Sequence, residues 1–560
     1  MKHDKTNKIR RILGLKNSIS SRRLDAFIVL ILFIFALLLR LHFLNAGLFY
    51  IDAVTAATNT EETYNTGVLH YMHASGYPGY VITLTASYSI FKFVGIQSTE
   101  FLVLFSSAFF ASLSIGVIYI FVKKLSGSKL TALSAALILN FLPVYLSAST
   151  MGMSNPLAAF FILLSFYLVL LASEKKSRML LVLASLSFGW AAACRLESFI
   201  LLPIFILLYW QLDLSNYFYW KKLKKSYKIL EIIKVFAFLL VPAFIILLTA
   251  YLPIFLTKNG FQTILDGIET THWLGPAITQ QLIDTILAIN VSLTLFGWIL
   301  AAIGIVFLFR RKQKFILFAV IIWCAYLFIY ANINGGEDRH AIVALIGFSV
   351  AMGFGVEFFY KKINKILAII VLSFILISMF AVIYPIIDYR SSFCGPKSFA
   401  LNLSKIIEKN SIVITSDESA HLQYYGNLST MVHPSDGNMQ KINENLIEIN
   451  KYLENGTNVY LTAGGLSYDS AAGIVYDPIT GKLFNEKTHK IYNLTYYRQI
   501  GAIAEPTSGL PVLLTGVWEL EFFTSFQAVP ITYLPNDDWH RKTVKDGRYT
   551  AVVFKVIKKL

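Results

Sequence analysis

The sequence predicts a polytopic α-helical membrane protein of about 11 transmembrane helices, followed by a C-terminal extracytoplasmic α/β domain. Three observations carry this. Of 560 residues, 56% are hydrophobic and the mean hydropathy is +0.60, which soluble domains rarely reach. Long apolar stretches recur at span-like length. The basic residues then fall almost entirely in alternate connections between those stretches.

The stretches cover roughly 25–45, 100–122, 130–148, 155–172, 179–194, 198–212, 231–256, 287–309, 315–331, 341–360 and 366–387. Most approach the ~20 apolar residues that cross hydrocarbon as a helix. Lys123, Lys124 and Lys129 occupy one connection, and Lys175, Lys176 and Arg178 another. Lys221, Lys222, Lys224, Lys225 and Lys228 follow, then Arg310, Arg311, Lys312 and Lys314, then Lys361, Lys362 and Lys365. The intervening connections hold little beyond Arg195, Lys258 and Arg339. By the positive-inside rule, the basic connections and the tail 1–24, with Arg10, Arg11, Arg22 and Arg23, are cytoplasmic. The membrane is the plasma membrane, or the endoplasmic reticulum if the cell is eukaryotic. The first stretch has signal-like basic flanks but a weak cleavage site, and reads as a retained anchor.

Residues 78–94 are apolar enough to suggest a further span, but crossing there would invert the charge rule for every later loop. The simpler expectation is one long outer loop, 46–99, whose apolar helix lies along the membrane; Ser, Thr, Tyr and Lys92 interrupt it as they do in interfacial helices. The transmembrane domain is then 25–388 and the C-terminal domain 389–560. In the latter, apolar runs shorten to strand length at Ile412–Ile414, Val459–Leu461, Val512–Leu514 and Ala551–Val556, with helical patterns at Phe399–Lys409 and Met439–Leu453. Sequons at Asn402, Asn427, Asn455 and Asn493 are compatible with an outer placement. The net charge of +16 follows from cytoplasmic loops facing anionic lipid rather than from nucleic-acid binding. Three cysteines, Cys194, Cys324 and Cys394, are too few for a disulfide framework.

The outer connections collect the residues capable of chemistry. The first contains Asp52, Glu61, Glu62, His70, His73 and the turn Gly76, Tyr77, Pro78, Gly79. A carboxylate just beyond a span is partly desolvated, which strengthens it as a base; alternatively Asp52 caps a helix beginning at Ala53. Arg195, Leu196 and Glu197 lie at an outer boundary, and Asp338, Arg339 and His340 open the tenth span. Boundary arginines either snorkel to headgroups or bind anions by bidentate hydrogen bonds. Glu197 alternatively serves only to pair with Arg195. The connection 257–286 carries Asp266, Glu269, His272 and Trp273, as interfacial anchors or as a cover for an acceptor, with Trp273 stacking on a sugar.

An acidic residue after the first span, a histidine about 20 residues later before a Gly/Pro turn, and an apolar amphipathic helix beyond it resemble the first outer loop of the GT-C glycosyltransferases. These include protein O-mannosyltransferases, aminoarabinose transferases and oligosaccharyltransferase catalytic subunits. The resemblance spans roughly 25–390, with Arg195-Leu196-Glu197 and Arg339-His340 similar to further motifs. The usual Asp-Glu and His-Pro-Pro are here Asp52-Ala53 and His73-Ala74-Ser75. The resemblance implies a GT-C-like membrane fold and transfer of a monosaccharide from a polyprenyl-phosphate donor to an acceptor hydroxyl on a protein, lipid or glycan. Asp52 is then the base, Arg339, Arg195 and His340 bind the donor phosphate, and His73, Tyr77, Glu62, Glu269 and Trp273 contact substrate. Where many relatives carry a second acidic residue, this chain has Ser154 and Asn155, so no cofactor is expected and a metal-independent reaction is favoured. It also lacks the Trp-Trp-Asp run associated with oligosaccharyl transfer to peptides. Two other classes stay open: a transporter or flippase of a lipid-linked or anionic substrate, and a catalytically silent scaffold. The sequence has no pair of Gly/Pro-broken spans in corresponding halves.

Overall fold

The structure is a computed structural model that describes residues 23–70, 77–213, 225–256, 278–311, 314–331, 341–415, 418–434, 439–462, 474–477, 482–485, 490–493, 518, 522, 525–535 and 550–559. The chain divides into two compact units, one of 1–45 with 59–392 and one of 46–58 with 393–560.

All eleven apolar stretches are helical in the first unit. Helices α1 (23–42), α4 (Thr99–Ser126), α5 (Lys129–Phe141), α6 (Pro143–Ser149), α7 (Asn155–Lys175) and α8 (Arg178–Cys194) follow the expected boundaries closely. The order continues with a 3₁₀ turn Leu196–Leu201, α9 (Leu202–Asp213), α10 (Lys225–Phe255), α11 (Ile278–Arg310, kinked at Thr294), α12 (Lys314–Ala331), α13 (Ile342–Phe358) and α14 (Lys365–Ser392). Among the described residues, 7 helices are long and apolar enough to cross a membrane, or up to 8 if the bent pair α5–α6 is one span. That pair bends by 61° at Leu142, where Pro143 cannot continue the preceding helix. The outer loop forms two helices, α2 (Ile51–Thr66) and α3 (Pro78–Phe93). At 16 residues, α3 is roughly 24 Å long, short of a ~30 Å hydrocarbon layer. Lys92 lies over the rings of Tyr64 (4.3 Å) and Tyr88 (5.4 Å), joining the end of α3 to α2.

Helix α13 is apolar all round and buried along its whole length, as a central helix requires. At its far end the buried Glu357 accepts from Thr131 Oγ1 (2.6 Å), Arg311 Nη2 (3.0 Å) and Lys361 Nζ (2.6 Å). A carboxylate removed from water needs such partners. Asp25 pairs with Lys123, and Lys124 with Glu174. These pairs gather the basic helix ends of α1, α4, α5, α7, α11 and α13 at one end of the unit.

The second unit is a three-layer α/β sandwich. Its five-stranded sheet has the order β2-β1-β3-β8-β7, from β1 (Ile412–Thr415), β2 (Ser429–Val432), β3 (Val459–Thr462), β7 (Phe526–Pro535) and β8 (Thr550–Lys558). β1 is parallel to β2 and β3, whereas β8 is antiparallel to β3 and β7. Side chains alternate across it, as the period of two demands. Ile414, Val459, Leu461 and Phe554 pack with Trp518 and Ile442 of α17 (Met439–Glu454). Val413, Tyr460 and Val553 pack with Phe399 of α15 (Gly395–Ile406) and Leu422 of α16 (Ser419–Gly426). A separate antiparallel sheet comprises β4 (Ile474–Asp477), β5 (Lys482–Asn485) and β6 (Lys490–Asn493). The strand expected at Val512–Leu514 lies outside the described residues.

Candidate functional site

Arg195 is the hub of the end of the first unit opposite the ion-paired basic end. Helix α8 stops at Cys194, and Arg195 takes an extended conformation (φ −152°, ψ 108°) before the 3₁₀ turn, while its N–H still bonds Ala191 O at 2.8 Å. The residue is 2% exposed, so every polar nitrogen needs a partner. Nε pairs with the Glu197 carboxylate. Nη1 donates to Ser154 Oγ at 3.1 Å and to Asn155 Oδ1 at 2.9 Å. Nη2 reaches the Tyr77 hydroxyl at 3.4 Å, and the guanidinium lies 4.8 Å from the centre of the Tyr77 ring. A cation at the carboxyl end of α8 also meets the favourable end of the helix dipole. Tyr326 donates its hydroxyl to Glu197 O at 3.2 Å, adding α12 to the cluster.

Local sequence explains how these segments meet. Tyr77 caps α3 in the left-handed region (φ 43°, ψ 47°), directly before Pro78 at the helix start. Gly79 lies so close to the end of α8 that a Cβ would stand 2.8 Å from Ala193 C and 2.9 Å from Cys194 N. The glycine is therefore more than turn punctuation: it lets α3 approach Arg195. Tyr80 then donates to Gly152 O at 3.0 Å, and Ser107 to Met153 O at 2.7 Å, fixing the turn that holds Ser154 and Asn155. Ser154 occupies the N-cap of α7 without a capping hydrogen bond, and its Oγ accepts from Arg195.

The structure thus brings together Arg195, Tyr77, Ser154, Asn155 and Glu197 within one unit. Glu62 is exposed on α2 and pairs with His70 Nδ1 at 3.1 Å. Asp52 belongs to the second unit, half-buried in the first turn of α2. That helix begins at Ile51 rather than Ala53, so Asp52 is inside the helix and is not its N-cap residue. His73, Glu269, Trp273, Arg339 and His340 lie outside the described residues, as do Asp266 and His272.

Sequence reasoning missed a second buried arginine. Arg40, fully buried in α1, donates from Nη1 to Asn140 Oδ1 at 2.6 Å and to Ala36 O at 3.0 Å, and lies 5.6 Å from the Tyr145 ring. A charge inside an apolar span is the signal that would have found it.

The family model for dolichyl-phosphate-mannose-protein mannosyltransferase matches residues 71–256, the segment holding Tyr77, Ser154, Asn155, Arg195 and Glu197. Among solved structures, the archaeal oligosaccharyltransferase AglB from Archaeoglobus fulgidus, in complex with an inhibitory peptide and a dolichol-phosphate, aligns with a TM-score of 0.53 at 13% identity, covering 91% of this chain and 80% of that one. ArnT from Cupriavidus metallidurans, bound to undecaprenyl phosphate, aligns with a TM-score of 0.54 at 12% identity, covering 96% and 98%. No curated protein matches the sequence significantly. Both solved structures are GT-C glycosyltransferases, and the likeness shows that this chain has their fold.

Proposed function

We propose, for a chain with the GT-C glycosyltransferase fold, that it moves a monosaccharide from a polyprenyl-phosphate donor to an acceptor hydroxyl on the outer face of the membrane. The observation that carries the proposal is the buried Arg195 cluster, which lies within the segment matching the mannosyltransferase family model. The solved relatives with this fold hold dolichol-phosphate or undecaprenyl phosphate.

In this reading Asp52 takes the acceptor proton as the oxygen attacks the anomeric carbon. The bond from that carbon to the phosphate oxygen breaks, and the electron pair leaves with the polyprenyl phosphate. A single displacement inverts the anomeric centre. Arg339, with His340, grips the leaving phosphate. Arg195 is engaged by Glu197, Ser154, Asn155 and Tyr77, so its contribution is a fixed positive charge and an anchored Tyr77 rather than a fully open fork. His73, Glu62, Glu269 and Trp273 remain the proposed substrate contacts. The acceptor is a protein, a lipid or a glycan.

Metal independence is part of the proposal. Ser154 and Asn155 are neutral and already accept from a guanidinium, a poor setting for a hard divalent cation. The orientation proposed places the N-terminus in the cytoplasm and the α/β unit outside, from the charge alternation and the shared basic end. The sequence lacks Trp-Trp-Asp, which favours a monosaccharide over an oligosaccharide.

The test supplies purified protein in detergent with candidate polyprenyl-phosphate sugars and measures free polyprenyl phosphate. Release that survives EDTA supports the proposal. Movement of a labelled lipid across proteoliposomes without cleavage would establish a flippase instead.

A further inference from the structure

The second unit contains, beside its α/β sandwich, a short segment taken from far earlier in the chain. Residues 46–58 cluster with 393–560, and the contacts concentrate on the residues just before α2. Leu48 N–H donates to the Tyr425 hydroxyl at 2.7 Å, across 377 residues of sequence. Leu48 O lies 3.2 Å from His421 Nε2 and 3.7 Å from Cys394 Sγ. A carbonyl oxygen only accepts, so His421 carries its proton on Nε2. Lys397 Nζ reaches Ala46 O at 3.4 Å while lying 5.3 Å from the Tyr425 ring centre.

The fit is close at Gly47. A Cβ there would stand 2.8 Å from Lys397 Cδ and 3.1 Å from Cys394 Sγ. Leu48 is fully buried and Phe49 is 5% exposed. Both backbone groups of Leu48 are thus held by side chains of α16, and a methyl added one residue earlier would displace the Lys397 and Cys394 side chains. Two residues beyond Leu48, the carbonyl of Tyr50 accepts from Ala53 N (3.0 Å) and Val54 N (3.2 Å), opening α2. Asp52 lies in that first turn. A helix start has few backbone restraints of its own, since its first N–H groups lack intrahelical partners. The site where α2 begins is therefore fixed by what holds 46–50.

We infer that Tyr425 and His421 are positioning residues: through the Leu48 backbone they fix the start of α2 and hence the place of the Asp52 carboxylate. The inference rests on the proposed role of Asp52 as base. It gives the α/β unit a function in the reaction, as the jig for a carboxylate more than 360 residues earlier in sequence than either side chain. They act on it through main chain, by way of Leu48.

Tyr425→Phe removes the acceptor for Leu48 N–H and keeps the ring. His421→Ala removes the donor to Leu48 O, and His421→Gln restores a donor of similar reach. Each is compared with its parent in two backgrounds, native and Asp52→Asn, by initial rates of polyprenyl phosphate release over a range of donor concentration. Thermal melting shows which variants remain folded. Tyr425→Phe and His421→Ala are expected to lower kcat about 10- to 100-fold with donor KM within about twofold, as a misplaced group does. His421→Gln is expected to recover most of the loss. In the Asp52→Asn background neither substitution should lower the residual rate further. Full kcat in both Tyr425→Phe and His421→Ala, with Asp52→Asn inactive, would overturn the inference while leaving the base assignment intact. An equal fractional loss in both backgrounds would also overturn it, because it would mean a general effect on the fold. Native rates in Asp52→Asn itself would overturn the base assignment and the inference together. Should Tyr425→Phe not fold, the contrast of His421→Ala with His421→Gln decides the matter alone.

Discussion

Arg195 and Tyr77 meet across 118 residues of sequence, with the guanidinium 4.8 Å from the ring centre and Nη2 3.4 Å from the hydroxyl. The contact joins the start of α3 to the end of α8, and Glu197 completes it as the counter-ion. Removing Arg195 alone would leave Glu197 with a poorly compensated charge; a fully buried pair loses about 3–5 kcal/mol in that way, and the part-exposed Glu197 makes the loss here smaller. Arg195→Met is therefore expected to melt well below the parent. Arg195→Met with Glu197→Gln should recover part of that loss without restoring transfer. Melting curves of the single and double variants check it; a double variant no more stable than the single one would mean that the pair contributes little.

Gly79 sets how near α3 comes to α8. Gly79→Val places its side chain against Ala193 and Cys194 backbone, where neither neighbour is a flexible chain end. The expected result is a lower melting temperature, by an amount typical of overpacking at about 1–3 kcal/mol, together with loss of activity. Ser89→Ala, at an exposed position on the same helix, should change neither. Unaltered melting and activity in Gly79→Val would show that α3 is not seated as described.

These relationships mark what was legible in the sequence. The eleven apolar stretches were, because hydrophobic runs of span length have few alternatives, and so was Arg195 as a charge at a boundary. Tyr77, Ser154 and Asn155 were each singled out, but not their convergence, since 40 or more residues separate them from Arg195. The clamp on Leu48 has no local signature at all: His421 and Tyr425 lie on a short helix 373 and 377 residues beyond it. β7 escaped notice because Pro530 interrupts its apolar pattern; the strand accommodates the proline with a register shift between Pro530 and Thr532. β2, four residues at the sheet edge, is too short to stand out.

His421 makes the second unit sensitive to acid. Burial pushes its pKa down from 6.5 to about 4, partly opposed by hydrogen bonds to the Leu48 and Phe49 backbone. The unfolded chain thus binds a proton that the folded one refuses between those values. Stability from this group is complete above about pH 6.5, and falls as pH drops toward 4. The parent should lose melting temperature over that window relative to His421→Gln, which keeps a donor but does not titrate. Parallel curves for the two proteins from pH 7 to about 4 would contradict the assignment.

The proposed orientation rests on one shared basic end. Single cysteines near Lys222, Lys312 and Asn455 are expected to behave differently toward a membrane-impermeant thiol reagent on intact cells. Only the Asn455 site should react, and the native Cys194, Cys324 and Cys394 are buried and should contribute little background. Labelling at Lys222 or Lys312 would invert or break the proposed topology.

The central claim is that Asp52 is the base of a lipid-phosphate-dependent sugar transfer. Asp52→Asn keeps the size of the side chain in the first turn of α2 and removes its basicity. The most direct measurement is the initial rate of polyprenyl phosphate release from an active sugar donor, parent against Asp52→Asn, with both proteins shown to be folded. A fall of about 10²–10⁴-fold is expected, typical of losing a general base. A folded Asp52→Asn protein that turns over within a few-fold of the parent would contradict it, and would direct attention to Glu61 and Glu62 on the same helix.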